Sequence, residues 1–319
     1  MPIITKRQDS MRIVDSFREK NVSMAIFCTA SNWNTEAILM AASRFAKKHG
    51  IETLALAVSM TCNYEYLSQA ARVTYSGDMK TGFISVMKHL WQLCGELDSP
   101  YANVTVLPHL DHADPSRDAW ALSEGLPYLA SVMFDAQKHQ PDANRAMTKE
   151  YVKSHGKDIL IEGIMEELSV EGMHQGAGGG DYVGKAQRYC SETGVDFLVA
   201  DLGTEQQSSG TGKCIYLGQR ARELTSNLGK SMLVLHGTSC LTPEQMTTIA
   251  EDGVIRVNMW TRIAREAGMF AAKRQCERME SAPESFDTWE PCLYLRDASE
   301  KAAEIMEETL GILGYANFT

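Results

Sequence analysis

The sequence predicts an α/β protein: a (β/α)8 barrel, the TIM-barrel fold, followed by an extra C-terminal helical extension. Eight short apolar runs rich in Val, Ile and Leu alternate with amphipathic segments through most of the 319 residues. A hydrophobic fraction of 44% is enough to build a large core. Eight strands with intervening helices favour a closed barrel over an open doubly wound sheet. We expect the barrel to span 1–283 and the extension, packed on the barrel, to span 284–319.

Each predicted strand is a short run in which apolar residues predominate. In chain order the strands are expected at 23–29, 52–58, 103–109, 128–134, 158–164, 196–201, 231–236 and 254–258. The connecting helices are expected to include 34–49, 142–155 and 242–251, with Asn34 and Thr242 as N-caps. The stretch 65–98 is longer than one crossover helix needs and is predicted to hold two helices.

The composition argues against several classes of protein. A formal net charge of -10 and a pI near 5.4 weigh against nucleic acid or an anionic membrane as a partner. The N-terminus has no signal-peptide core and no later apolar stretch is long enough for a bilayer, so we expect a cytoplasmic protein. The eight cysteines form no CxxC pair and are interpreted as reduced thiols.

Polar residues close several of the predicted strands. The third ends in PHLDHAD, which supplies His109, Asp111 and His112, and the seventh ends at His236. Because the C-terminal strand ends of such a barrel converge on its active site, we expect these side chains to face a common space. In a regular strand His109 and His112 point to opposite faces, so which of them faces the centre stays open. The fourth, fifth, sixth and eighth strands add Asp135, Glu162, Asp201 and Asn258.

The segment HGTSCLTP, residues 236–243, is typical of an anion-binding loop. Gly237, Thr238 and Ser239 precede the predicted helix at 242, where backbone N–H groups and the helix dipole favour a phosphate. The alternative is an ordinary βα loop with a Ser/Thr cap. Phosphate sites in such barrels often use the loops after the seventh and eighth strands, so Arg256 is expected to add a cation to this pocket.

A glycine-rich segment, GMHQGAGGGD at 172–181, follows the fifth strand. Its glycines permit positive φ angles and local mobility. The segment is interpreted as an active-site lid or, alternatively, as a flexible surface loop. The lid residues would be His174, Gly178, Gly179 and Gly180.

Five motifs in order, HLDH, SVMFD, GVDFLVADLGT, LVLHGTS and EDGVIRVN, resemble those of the class II, metal-dependent ketose-bisphosphate (fructose-bisphosphate) aldolases. The resemblance implies a (β/α)8 barrel that reversibly cleaves a ketose phosphate, with a divalent metal, zinc, held by three histidines. It implies that His112 and His236 are metal ligands and that Asp111 is the catalytic acid. It also places Gly237 and Ser239 on a phosphate-binding loop and Asn258 at a phosphate or substrate position. Gly203, Thr238 and Arg256 are added as substrate- or phosphate-binding candidates because they lie at or next to the same strand ends.

The chain departs from the family pattern at several of these positions. The third metal histidine of the family is replaced by Gln206. On the fifth strand the family has two carboxylates: Glu162 retains the first and is a catalytic candidate, whereas Ile164 occupies the position of the second. Arg256 and Trp260 stand where small polar residues are expected. Because an amide oxygen is a weak ligand beside imidazole, the third ligand is taken as Gln206 or a replacement. The candidate replacements are Glu205, Glu162, Asp201 and His174.

The leading interpretation is an aldolase-type carbon–carbon lyase that acts through an enediolate on a phosphorylated or other anionic keto sugar. GMHQGAGGGD also replaces the acidic lid of the family. Because the lid and the eighth-strand residues have changed together, we expect a substrate other than fructose 1,6-bisphosphate. Three alternatives remain: a Schiff-base aldolase using Lys213 or Lys185, a sugar-phosphate isomerase or epimerase, and an inactive homologue that binds a metabolite or a partner subunit. A homo-oligomer is expected from the resemblance.

Overall fold

A closed barrel of eight parallel strands in chain order forms the centre of the protein, as the sequence predicts. The structure is a computed structural model that describes residues 2–168, 180–210, 212, 214–290 and 292–319. The strands are β1 (Met24–Cys28), β2 (Leu54–Thr61), β3 (Val104–Ala113), β4 (Ser131–Phe134), β5 (Leu160–Ile164), β6 (Phe197–Val199), β7 (Leu233–Leu235) and β8 (Val254–Met259). Six of the eight contain only buried residues, and β2 and β3 each have one half-buried position, as strands covered on both faces require.

Helices surround the barrel. In chain order they are α1 (Arg7–Glu19), α2 (Asn32–His49), α3 (Met79–Cys94), α4 (Pro141–His155), α5 (Tyr182–Thr193), α6 (Gly218–Leu228), α7 (Thr261–Ser281), α8 (Phe286–Trp289) and α9 (Leu293–Ile312). Among the residues described, every helix is too short or too polar to cross a lipid bilayer.

Four helix predictions need correction. The predicted helix at 242–251 contains only a single 3₁₀ turn, Glu244–Met246. The stretch 65–98 holds one α-helix, α3, and a short 3₁₀ turn at Ala70–Arg72. The N-cap of α2 is Ser31, whose hydroxyl accepts a hydrogen bond from the Asn34 N–H at 3.1 Å, so Asn34 itself belongs to the first turn. Helix α1 was not predicted from the sequence.

The C-terminal segment packs on the helices and the first strand of the barrel. Helix α9 packs against α2 and α7. Beyond it, the buried Tyr315 hydroxyl accepts a hydrogen bond from the Ala25 N–H of β1 at 2.9 Å, and its ring packs edge-on against Phe17 of α1. The tail is therefore tied to the first strand and the first helix. The division of the chain into 1–283 and 284–319 stays a prediction.

Candidate active site

The third strand contributes three polar residues, His109, Asp111 and His112, to the interior and mouth of the barrel. β3 extends to Ala113, past the predicted end at 109, and its register against β4 shifts between Leu110 and Ala113. His112 lies at this irregularity with a φ of 46°. A bulge of this kind re-aims side chains that regular alternation would separate. Asp111 and His112 therefore both line the pocket at the mouth of the barrel, while the buried His109 lies deeper.

Asp111, His112 and His236 form a cluster with the chemistry of a metal site. One ligand atom from each lies within 4.8 Å of the other two, and all three residues are buried. The Nδ1 atom of His112 is 2.7 Å from Asp135 Oδ2, an arrangement that orients the ring and leaves its Nε2 atom for a metal. His236 Nε2 and Asp111 Oδ1 are buried and have no hydrogen-bond partner within the described part of the chain. These unpaired groups fit a bound cation.

The two histidines of the cluster differ in their electrostatics. Burial lowers the pKa of His236 to about 4, so its imidazole is neutral at physiological pH, the form that binds a metal. For His112 burial also opposes the charged form, but the neighbouring carboxylates of Asp111 and Asp135 outweigh burial and raise its pKa. A proton on His112 therefore competes with a metal more strongly than a proton on His236.

A pocket with about 500 Å³ of empty space opens above this cluster. It brings together most of the site residues predicted from the sequence, and it is also lined by residues that were not predicted. Its lining includes Cys28, Tyr64, Asp111, His112, Gln206, Gln207, His236, Gly237, Thr238, Ser239, Asn258, Trp260 and Thr261. No lysine or arginine stands among the described residues of this lining.

The loop after β7 supplies the part of the pocket suited to an anion. Gly237 has a φ of 72°, and a Cβ atom there would lie 2.8 Å from the Glu205 backbone. The Thr238 hydroxyl donates to the Asn258 carbonyl at 3.2 Å, and the Ser239 hydroxyl accepts from the Ser208 N–H at 3.2 Å. The loop is thus packed closely against its neighbours. Because the helix expected at 242 is absent, an anion here would meet loop N–H groups instead of a long helix dipole.

Arg256 is not part of the pocket, contrary to the prediction. Its side chain is 1% exposed and forms an ion pair with Glu162, which is 0% exposed. It also donates to Ser131 Oγ at 3.1 Å. His109 Nδ1 lies 2.8 Å from that hydroxyl, and its Nε2 lies 3.5 Å from Glu162 Oε2. Arg256, Glu162, His109 and Ser131 therefore form a polar network inside the barrel, away from the residues that line the pocket.

The remaining predicted residues lie at the edge of the site or outside the described residues. Gly203 packs against the Ile215 carbonyl and does not line the pocket. Asp201 accepts a hydrogen bond from the Gly203 N–H at 2.9 Å, and Gly180 precedes α5. Lys185 is exposed on α5. His174, Gly178, Gly179 and Lys213 lie outside the described residues.

Several pocket residues, among them Tyr64 and Cys28, were not predicted from the sequence. The Tyr64 ring stacks on His112 at 4.2 Å with an interplanar angle of 11°, and its hydroxyl donates to Gln206 Oε1 at 3.1 Å. Cys28, the last residue of β1, has its thiol 2.8 Å from Asn258 Oδ1, and burial raises its pKa. Both follow or end one of the first two strands. The strand-end rule applied to those two strands as well would have identified them.

The fold and the cluster define a (β/α)8-barrel enzyme with histidine and carboxylate groups gathered at the C-terminal face of its barrel. The sequence profile of the family described as Fructose-bisphosphate aldolase class-II matches residues 9–317. The chain therefore belongs to this family, and the prediction of an aldolase-type carbon–carbon lyase is confirmed.

Individual relatives agree with this assignment. A 6-phospho-5-dehydro-2-deoxy-D-gluconate aldolase of Bacillus velezensis is 30% identical over 257 residues, which are 78% of this chain and 83% of the relative. The Bacillus subtilis protein of the same name is 30% identical over 258 residues, with the same coverage of 78% and 83%. The crystal structure of a Campylobacter jejuni fructose-bisphosphate aldolase shares the fold with a TM-score of 0.75 at 15% identity, covering 99% of this chain and 97% of that one.

Proposed function

We propose that the enzyme is a zinc-dependent aldolase for a phosphorylated keto sugar acid of the type 6-phospho-5-dehydro-2-deoxy-D-gluconate. The observation that carries the proposal is the buried cluster of Asp111, His112 and His236 at the mouth of the barrel, in which one ligand atom of each residue lies within 4.8 Å of the other two. The curated relatives cited above bear the name of an aldolase for that substrate. Their substrate also agrees with the expectation that fructose 1,6-bisphosphate is not the natural one.

The chemistry of that substrate fits an aldol cleavage. A ketone at carbon 5 activates the bond between carbons 3 and 4, and the hydroxyl on carbon 3 becomes the new aldehyde. The products are dihydroxyacetone phosphate and a three-carbon aldehyde acid. A divalent ion, when bound, supplies a Lewis acid that polarises the ketone and acidifies the neighbouring C–H bond.

The residues of this chain divide the remaining tasks. His112 and His236 would hold the ion, and Asp135 orients the His112 ring through Nδ1. The loop at 237–239 would hold the phosphate through backbone N–H groups and the Ser239 hydroxyl, since the Thr238 hydroxyl already donates its proton to the Asn258 carbonyl. Trp260 and Tyr64 line the pocket with aromatic surface and limit the access of water.

Purified enzyme tests the proposal directly. Cleavage is followed by coupling the release of dihydroxyacetone phosphate to NADH oxidation, with 6-phospho-5-dehydro-2-deoxy-D-gluconate and fructose 1,6-bisphosphate compared at equal concentration. We expect a higher kcat/KM for the sugar acid, loss of activity in His236→Ala, and restoration of chelator-treated wild type by zinc. Full activity in His236→Ala or in the presence of a strong chelator would contradict the metal-dependent mechanism.

We also propose that the enzyme is a homo-oligomer. Met269, Met279 and Tyr294 expose 69%, 55% and 48% of their surface on α7 and α9. Helices α7 and α9 pack against each other, and exposed aromatic residues and methionines of this kind are enriched at subunit interfaces. Light scattering after size exclusion should give a mass above one chain, and Met269→Asp should lower it. A monomeric wild type would contradict the proposal.

A further inference from the structure

We propose that Asp111 is the third protein ligand of the metal and takes the place of the family histidine that is Gln206 here. The inference rests on the proposed function, because the ion concerned is the one that the lyase reaction uses. It assigns Asp111 a different task from the acid role that the family resemblance implies.

The position of the Asp111 carboxylate supports this assignment. Asp111 is 5% exposed, and its Oδ1 atom has no hydrogen-bond donor within the described part of the chain. Among the residues that the structure describes, the contact of its Oδ2 atom is a long one, 4.0 Å from the Cys28 thiol. A buried carboxylate is costly unless it is paired or coordinates a metal. The two imidazoles that could share such an ion, those of His112 and His236, lie within the same 4.8 Å cluster.

The backbone of β3 supplies an independent observation. A regular strand sends neighbouring side chains to opposite faces. The register shift between Leu110 and Ala113, with His112 at a φ of 46°, removes that alternation. A residue other than glycine rarely adopts this conformation, and such strain accumulates at functional sites. Here the irregularity brings two adjacent side chains, Asp111 and His112, into one ligand cluster.

Gln206 is engaged elsewhere. Its Oε1 atom, the one atom of the side chain able to bind a metal well, accepts the Tyr64 hydroxyl at 3.1 Å. Tyr64 is itself held by stacking on His112. An amide oxygen is also neutral, whereas Asp111 contributes a negative charge that compensates a divalent ion in a buried site. Two histidines and one carboxylate are a ligand set that catalytic zinc sites use, with the fourth position open.

Metal affinity distinguishes the two residues without an activity assay. Full-length wild type, Asp111→Asn and Gln206→Ala are stripped with a chelator, and Zn²⁺ and Co²⁺ are titrated against a competing chelator of known affinity. Loss of an outer-shell partner costs about 10- to 100-fold in affinity. We therefore expect Asp111→Asn to bind more than about 100-fold more weakly, and Gln206→Ala to stay within about tenfold of wild type.

Two further measurements separate a lost ligand from a damaged fold. The metal-free Asp111→Asn protein should unfold at the same or a higher temperature than metal-free wild type, because it lacks a buried unpaired carboxylate. Asp111→Glu keeps the charge but moves the oxygens, so it should bind Co²⁺ with an altered visible absorption spectrum.

The outcomes are distinct. Asp111→Asn and Asp111→Glu with wild-type affinity and an unchanged cobalt spectrum would overturn the inference while leaving the proposed function intact. Loss of binding in Gln206→Ala alone would assign the third ligand to Gln206 and overturn it as well. A wild type that binds neither ion would overturn the proposed function itself.

Discussion

Arg256 and Glu162 form an ion pair inside the barrel, and removing one partner should destabilise the protein far more than removing both. The two side chains are 1% and 0% exposed. The guanidinium also donates to Ser131 Oγ at 3.1 Å and lies 5.1 Å from the centre of the Phe197 ring. Neither charge has access to water, so each depends on the other for its neutralisation.

The expected magnitude follows from this burial. Removing one partner of a buried pair costs about 3–5 kcal/mol, because the other charge is left uncompensated, whereas replacing both is often nearly neutral. A domain has only about 5–15 kcal/mol of stability in total. We expect Arg256→Met and Glu162→Gln each to lose about 3–5 kcal/mol at about pH 8, and the double variant to lose less than their sum by at least about 2 kcal/mol.

The pH dependence provides a second test. Burial raises the pKa of Glu162 to about 7, against the opposing effect of Arg256, from an unfolded value of about 4.3. A raised carboxyl pKa favours the folded state below about pH 4.3, and that contribution is lost as the pH rises toward about 7. Without Arg256 the pKa rises further, so Arg256→Met should continue to lose up to about 1.4 kcal/mol per pH unit above about pH 7. Glu162→Gln lacks the titrating group and this trend.

Urea unfolding followed by circular dichroism at about pH 6 and about pH 8 measures these free energies. Arg44→Met is a suitable control, because Arg44 and Glu300 form a surface pair with 41% and 50% of their side chains exposed, and such pairs contribute about 0–1 kcal/mol. Costs no larger than the control, additive costs in the double variant, or a destabilisation by Arg256→Met that shrinks as the pH rises would refute the reasoning.

Three other predictions concern separate parts of the molecule. Tyr315→Phe leaves the buried Ala25 N–H unpaired and should lower the free energy of unfolding in urea by about 1–3 kcal/mol. The control Tyr294→Phe, at a residue that is 48% exposed, should lower it by less than about 0.5 kcal/mol. Equal losses in the two variants would contradict this prediction. Gly237→Ala places a Cβ atom 2.8 Å from the Glu205 backbone, whereas Gly229 has a similar φ of 74° and open space around it. Gly237→Ala should therefore destabilise the protein more than the control Gly229→Ala in the same measurement. The reverse order would show that the loop moves to accommodate the added methyl group. Chelation should lower the Tm of wild type but not of His236→Ala, since an ion at about 100 times its Kd adds about 2.7 kcal/mol to the folded state; an equal shift in both would place the stabilising ion elsewhere.

Much of the barrel was predictable because its strands are short, apolar and regularly spaced. The same rule placed His236, Gly237 and Ser239 correctly at the pocket, since β7 is followed at once by its loop. The bulge at His112 was not predictable, because it depends on the register of β3 against β4 and not on the residues of β3 alone. The parity argument for His109 and His112 assumed a regular strand and therefore stayed open.

The depth of a side chain in the barrel was the other feature that the sequence did not show. Arg256 and Asn258 are two residues apart on β8 and face the same side, but two residues correspond to about 6.6 Å along a strand. Asn258 therefore reaches the pocket, whereas Arg256 reaches Glu162. The contact between Tyr64 and Gln206 joins residues 142 positions apart and was equally hidden.

The pairing of Arg256 bears on the chemistry above it. A free guanidinium near the ligand cluster would repel a divalent ion, and a free Glu162 would compete with Asp111 as a ligand. The ion pair sets the two charges against each other inside the barrel, and neither residue lines the pocket. Within the described part of the chain, the carboxylate that shares a ligand cluster with the two histidines is Asp111, and the irregularity of β3 lies at its neighbour His112. The departures at 206 and 256 are therefore compatible with a retained metal site that uses a different third ligand.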